Sequence, residues 1–143
     1  MILLDTNVIS EILKAAPDPA VVDWMRAQSW PLVGTTSVTV AELLHGFELL
    51  PHGRRRHGLQ IAIREALSEF DGRILGFEEP AAPIYAEISA HRRALGRPIQ
   101  PFDALIAAIA RQHGAVLATR DTEDFAQCGV RLVNPWLKRG KRR

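Results

Sequence analysis

Ile2-Leu3-Leu4-Asp5-Thr6-Asn7 is the stretch that decides the fold. Three consecutive apolar residues with no polar alternation suit a short strand buried on both faces, as in a parallel sheet covered by helices. The acid behind them then stands at the strand's carboxyl end, where open α/β sheets collect their functional groups. Ile9, Ile12 and Leu13 follow at helical spacing, so the chain passes from strand to helix with Asp5 at the junction.

The same alternation continues outward. Pro17-Asp18-Pro19 closes the first helix and opens a second, through Val21, Val22, Trp24 and Met25. Pro31 to Thr36 reads as a second strand, and Thr36 or Ser37 caps a helix running to about Leu50. Pro51-His52-Gly53 breaks the chain, and residues 54–70 resume a helical pattern. A third strand is expected at Arg73–Phe77, a helix at 81–95, and a very apolar helix from Pro101 closed by His113-Gly114. Ala115–Thr119 and Val130–Val133 complete five strands. This is a three-layer α/β/α pattern, in which the helical hairpin at 37–70 is the departure from strict alternation.

The 143 residues suffice for one domain with a sizeable core. One cysteine, Cys128, excludes an intramolecular disulfide framework and a multi-cysteine zinc site. No basic leader precedes the first strand and no long uncharged apolar window occurs, so a cytoplasmic protein without membrane contact is expected. The net charge of +2 conceals a segregation: Lys138, Arg139, Lys141, Arg142 and Arg143 are basic, whereas residues 1–137 carry 13 basic against 16 acidic side chains. We therefore divide the chain into a domain at 1–137 and a basic tail at 138–143. Such a tail suits nucleic acid or an anionic membrane surface, against the commoner reading of plain solvation.

Four acids fall beside the most apolar segments: Asp5, Glu42, Asp103 and Asp121, with Asp124 close behind. Each has an ordinary explanation. Asp5 suits a helix cap, Asp103 an N-terminal charge facing the helix dipole, Asp121 and Asp124 a turn, and Glu42 a solvated helix position. Taken together they suggest convergence, and clustered carboxylates cannot all stay ionised without a cation. Hard oxygen donors suit Mg²⁺ or Mn²⁺, which is the chemistry of phosphodiester cleavage by an activated water.

Leu3-Leu4-Asp5-Thr6-Asn7, Thr39-Val40-Ala41-Glu42-Leu43, Phe102-Asp103-Ala104-Leu105-Ile106-Ala107-Ala108 and Thr119-Arg120-Asp121 through Phe125 resemble, in order, the four signature blocks of PIN-domain nucleases. The chain is more narrowly similar to VapC toxins of type II toxin–antitoxin modules, including the FitB-like branch. The resemblance covers nearly the whole chain. It implies a five-stranded parallel sheet in the order 3-2-1-4-5, with Asp5, Glu42, Asp103 and Asp121 in the catalytic, metal-binding positions. It puts Asp124 at a further acidic position and Thr6, Asn7 and Thr119 at polar positions that orient the carboxylates. The segment Pro98-Ile-Gln-Pro-Phe102 departs from the Gly-containing loop common at that place. The resemblance also implies a Mg²⁺- or Mn²⁺-dependent endoribonuclease acting on tRNA or rRNA, a homodimer, a VapB-like antitoxin, and operator DNA bound through that antitoxin. The alternative is a PIN-fold subunit with little nuclease activity that acts through antitoxin and operator DNA.

Other chemistries fit poorly. There is no G-x-S-x-G elbow, P-loop or G-x-G-x-x-G motif, and the five histidines lack zinc-site spacing. Arg54-Arg55-Arg56 and Arg92-Arg93 are candidates for RNA phosphate contacts, against the plainer reading of solvated helix surface. Arg120 suits either a direction away from the site or a pairing with a neighbouring acid. Trp24, Trp30 and Trp136 suit either core or a partner surface.

Overall fold

A computed structural model describes residues 1–137; the basic run 138–143 lies outside the described residues. The strands are β1 (Ile2–Leu4), β2 (Val33–Thr36), β3 (Ile74–Leu75), β4 (Val116–Ala118) and β5 (Arg131–Val133). All pair in parallel, in the order β3-β2-β1-β4-β5. Leu3 lies opposite Gly34 on one side and Leu117 on the other, so β1 is the central strand. Helices α1 (Thr6–Ile12), α2 (Pro19–Arg26), α3 (Ser37–Glu48), α4 (Arg54–Ser68), α5 (Ala82–Ala94) and α6 (Pro101–Gln112) complete the fold.

The pleat explains why the first strand is uniformly apolar. Successive side chains point to opposite faces, so Leu3 and Leu117 enter one core with Ile88 of α5 and the apolar face of α6. Leu4 and Ala118 enter the other, with Val8 and Ile9 of α1, Val21 of α2, Leu43 and Phe47 of α3 and Ile63 of α4. Both leucines are fully buried, each worth roughly 1.5–3 kcal/mol relative to exposure. The two cores fill the two sheet–helix interfaces of the expected three-layer sandwich.

Element ends follow local chemistry. Asp18 caps α2 through the Ala20 N–H at 2.8 Å, with Pro19 at the first helical position. Of the two residues offered as cap for α3, Thr36 takes the role, accepting the Thr39 N–H at 3.0 Å. The second strand starts later than Pro31, because Trp30–Leu32 forms a 3₁₀ turn closed by Leu32 N–H to Ser29 O. Proline has no N–H for the ladder and its fixed φ suits such a turn. The third strand shrinks to two residues at the sheet's edge. Gly34 is required where β2 passes β3: a Cβ there would stand 2.6 Å from the Arg73 carbonyl oxygen.

Trp24, Trp30 and Trp136 pack against the α1–α4 core, and the Trp30 and Phe70 rings meet tilted at 41° with 5.3 Å between centroids. Cys128 is buried and all five histidines are exposed. Among the described residues no helix is long and apolar enough to cross a membrane.

Candidate active site

Parallel strands send all their carboxyl ends to one edge, and that edge gathers the acids. Asp5 follows β1, Thr119 and Asp121 follow β4, Glu42 comes from α3 after β2, and Asp103 from the first turn of α6. Asp5 is 6% exposed and uses its two oxygens differently. Oδ1 accepts the Thr6 N–H at 2.8 Å as a cap for α1, while Oδ2 accepts the Thr119 hydroxyl at 2.8 Å. One oxygen of Asp5 thus caps α1 while the other faces the end of β4.

Asn7 ties the two strand ends together. Its side-chain N–H₂ donates to Asp121 Oδ2 at 3.1 Å and to Thr119 Oγ1 at 3.3 Å, and its Oδ1 accepts the Arg120 N–H at 3.2 Å. The last bond fixes which end of the amide is oxygen. Thr119 Oγ1 also accepts the Asp121 N–H at 3.0 Å, so its one proton and both lone pairs are engaged. Thr6 donates its hydroxyl to Glu42 Oε1 at 3.3 Å, bringing α3 to the start of α1. Asp124 is exposed on the turn after β4.

Burial, and behind it uncompensated negative charge, sets the electrostatics. Burial raises the Asp5 carboxyl above its ordinary range, and Asp121 and Asp124 push it further up against the Thr119 and Thr6 hydrogen bonds. Burial and then Asp5 raise Glu42. Asp103 moves from 3.8 to about 6, through burial first and then the charges of Asp5, Asp124, Glu42 and Asp121. Each of these three carboxylates feels at least one other acid, which is the condition a divalent cation relieves. Among the described residues no three such groups close on a single point as a ready-made cage. Mg²⁺ does not need one, since it binds through one or two carboxylates and keeps several waters. The all-oxygen donor set fits that ion.

The arginines expected to meet RNA separate into distinct groups. Arg54 and Arg55 border a groove of about 770 Å³ between α1, α3 and α4, whose lining also includes Thr6, Lys14, Glu42, Phe47 and Ile63. Arg56 instead turns inward, donating to the carbonyls of Phe47, Glu48 and Leu50 and lying over the Phe47 ring. Arg92 is a correction to the phosphate-contact expectation: it is 4% exposed and spends its donors on the carbonyls of Arg97, Asp124 and Ala126. Arg93 is exposed on α5. Arg120, left undecided between two orientations, pairs with no acid among the described residues and lies over the Trp136 ring at 4.1 Å. The groove was not foreseen; its sequence signal is the glycine pair Gly46 and Gly58, where a Cβ would meet open space.

A buried-threonine, asparagine-bridged set of acids at the carboxyl edge of a 3-2-1-4-5 sheet defines a class, and residues 2–130 match the family described as PIN domain. The chain belongs to the PIN-domain family. Among its relatives, the toxin FitB of Neisseria gonorrhoeae is 44% identical over 137 residues, covering 95% of this chain and 99% of that one. The VapC ribonuclease Y4jK of Sinorhizobium fredii is 43% identical over 137 residues, covering 95% and 98%. Among solved structures, FitAB bound to an IR36 DNA fragment contains a chain that superimposes with a TM-score of 0.92 at 42% identity, covering 99% of each.

Proposed function

We propose that this chain is a Mg²⁺- or Mn²⁺-dependent endoribonuclease and the toxin of a type II toxin–antitoxin pair, cleaving structured RNA such as tRNA or rRNA. The observation that carries the reading is the convergence of Asp5, Glu42, Asp103 and Asp121 at one sheet edge, with burial and then the neighbouring acids raising Asp103 to about 6. The ribonuclease and toxin names of relatives that match along their whole length support it.

The chain's own residues prepare the site. Thr119 and Thr6 each donate a hydroxyl, holding Asp5 and Glu42 in fixed rotamers, and Asn7 holds Asp121 at a set distance from Asp5. Asp5, Glu42, Asp103 and Asp121 are the residues that would hold the cation, and Asp124 adds charge at the rim. When bound, the cation supplies an activated water for attack at phosphorus and offsets charge on the phosphoryl oxygens. Arg54, Arg55 and Arg93 remain as phosphate contacts that position the RNA without reading its bases.

The groove beside Glu42 supports the partner assignment. Its floor is apolar, through Leu13, Leu43, Phe47, Leu59 and Ile63, and Lys14, Arg54 and Arg55 border it. A VapB-like antitoxin segment lying there would cover the carboxylates, and operator DNA would be reached through that antitoxin, as FitAB is seen on DNA. Homodimerisation, a cytoplasmic location and a nuclease domain bounded at residue 137 belong to the same reading.

The test is cleavage of purified RNA with added Mn²⁺ by the parent and by Asp5→Asn and Asp103→Asn. Loss of cleavage in both variants is expected; undiminished cleavage by both overturns the assignment. The open spacing of the carboxylates favours one second reading, a weakly active subunit working through antitoxin and operator DNA. Growth arrest on expression without antitoxin, abolished by Asp5→Asn, separates the two.

A further inference from the structure

The carboxyl edge of the sheet has a second cationic feature besides the groove. Along that edge the residues run from Glu42 beyond β2, through Asp5 beyond β1 and Asp121 beyond β4, to Trp136 beyond β5. Arg54 and Arg55 border the β2 end of this line. At the β5 end stands Arg120, between Thr119 and Asp121 in the chain, with its own N–H held by Asn7 Oδ1 at 3.2 Å. Its backbone is thus fastened to the same asparagine that spaces the carboxylates.

The Arg120 side chain is exposed, and its guanidinium carbon lies 4.1 Å from the centroid of the Trp136 ring. Trp136 is itself held, packed against the α1–α4 core and tied at its backbone N–H to Asn134 Oδ1 at 3.0 Å. Among the described residues the Arg120 guanidinium donates no hydrogen bond to protein and forms no ion pair within 4.0 Å. The arrangement differs from that of the arginines whose donors are spent on protein. Arg56 and Arg92 spend their donors on carbonyls, and Arg97 and Arg111 pair with Glu123 and Glu87. A guanidinium oriented by an aromatic face loses little freedom on binding and keeps its planar set of donors for an anion.

We infer that Arg120, stacked on Trp136, is a binding site for a backbone phosphate of the RNA on the β5 side of the scissile bond. The inference rests on the ribonuclease reading. It gives the substrate a direction, entering past Arg54 and Arg55 at the β2 end, crossing the carboxylates and leaving over Arg120. A negatively charged strand approaching an acidic edge needs cations on both flanks, and Arg120 is the fixed cation on the second one. The five basic residues of 138–143 follow Trp136-Leu137 in sequence and continue the same charge.

The experiment measures binding of a fluorescein-labelled tRNA anticodon stem-loop to the full chain carrying Asp5→Asn, which removes cleavage, with and without Arg120→Gln or Arg120→Lys. Salt is varied from about 50 to about 200 mM, and thermal unfolding is recorded alongside. Losing one phosphate contact lowers the slope of log affinity against log salt by about 0.7–0.9, so the gap between parent and Arg120→Gln narrows about threefold across that range. Arg120→Lys, which keeps the charge and loses the planar stack, keeps the parent slope with weaker affinity. In the cleaving protein Arg120→Gln raises KM and leaves kcat near the parent value. Parent-like affinity and slope in Arg120→Gln overturn the inference, including the case in which only its melting temperature falls and the arginine merely covers Trp136. Absence of RNA binding by the Asp5→Asn chain itself overturns the ribonuclease reading instead.

Discussion

Thr119 donates its hydroxyl to Asp5 Oδ2 at 2.8 Å, joining residues 114 positions apart across the β1–β4 pair. The bond goes to a carboxylate that burial, and then like charges, already push toward protonation. Thr119→Val removes the donor at nearly constant volume. A hydrogen bond to a charged group is worth about 1.5–3 kcal/mol, so RNA cleavage falls roughly ten- to hundredfold. Thr119→Ser restores the hydroxyl and most of the rate. Equal rates for parent and Thr119→Val would mean that the orientation of Asp5 does not depend on this bond.

Asp103 sets the pH dependence. Its carboxyl is raised in the folded chain from 3.8 to about 6, so the folded state holds this proton more tightly than the unfolded one. The stability it contributes is fully present below about pH 3.8 and is lost as pH rises through about 6. In metal-free protein, the melting temperature of the parent relative to Asp103→Asn therefore declines across that window. Mn²⁺ reverses the decline above about pH 6, where Asp103 is ionised. At a hundred times its Kd the ion contributes about 2.7 kcal/mol, or about 5–10 °C for a chain of this size. A parent-minus-variant difference that is flat with pH would place Asp103 away from the other acids.

Arg92 and the exposed arginines separate by assay. Arg92→Met leaves the part-buried carbonyls of Arg97, Asp124 and Ala126 without their donor. Unsatisfied groups of this kind cost about 1–3 kcal/mol each, and the melting temperature drops accordingly while the salt dependence of RNA binding stays at the parent value. Arg54→Gln with Arg55→Gln does the opposite, lowering the salt slope with little change in stability. Urea titration and binding at several salt concentrations distinguish the two patterns.

Gly34→Ala tests the sheet. The new Cβ would meet the Arg73 carbonyl oxygen at 2.6 Å, in backbone that also receives the Thr35 N–H at 3.0 Å. Forcing β2 and β3 apart costs about 1–3 kcal/mol, as overpacking does elsewhere. Chemical denaturation shows a lower midpoint with an unchanged slope. Parent stability in this variant would show that the edge strand yields without loss.

Much of the fold was legible because its signals are local. An apolar triplet followed by an acid, Pro19 and Pro101 at helix starts and Gly114 at a helix end mark elements within a few residues of chain. The expected order of strands and the helical hairpin both appear in the fold. Strand ends were less legible, since pairing decides them: Pro31 falls in a 3₁₀ turn and β3 keeps two residues where five were expected.

By itself, the sequence determined which acids are the candidates, since Asp5, Glu42, Asp103 and Asp121 sit in blocks whose order and residue types are readable without coordinates. Only the tertiary structure decided what each side chain spends its hydrogen bonds and charge on. Asp5 divides its oxygens between a helix cap and Thr119, Arg92 vanishes into carbonyls while Arg120 stands on Trp136, and the groove beside Glu42 opens between three helices. The physical reason is that a residue type fixes donors, acceptors and charge, whereas the partners that satisfy them come from chain segments up to 114 residues away. Burial, and with it the rise of Asp103 to about 6, exists only once those segments have met.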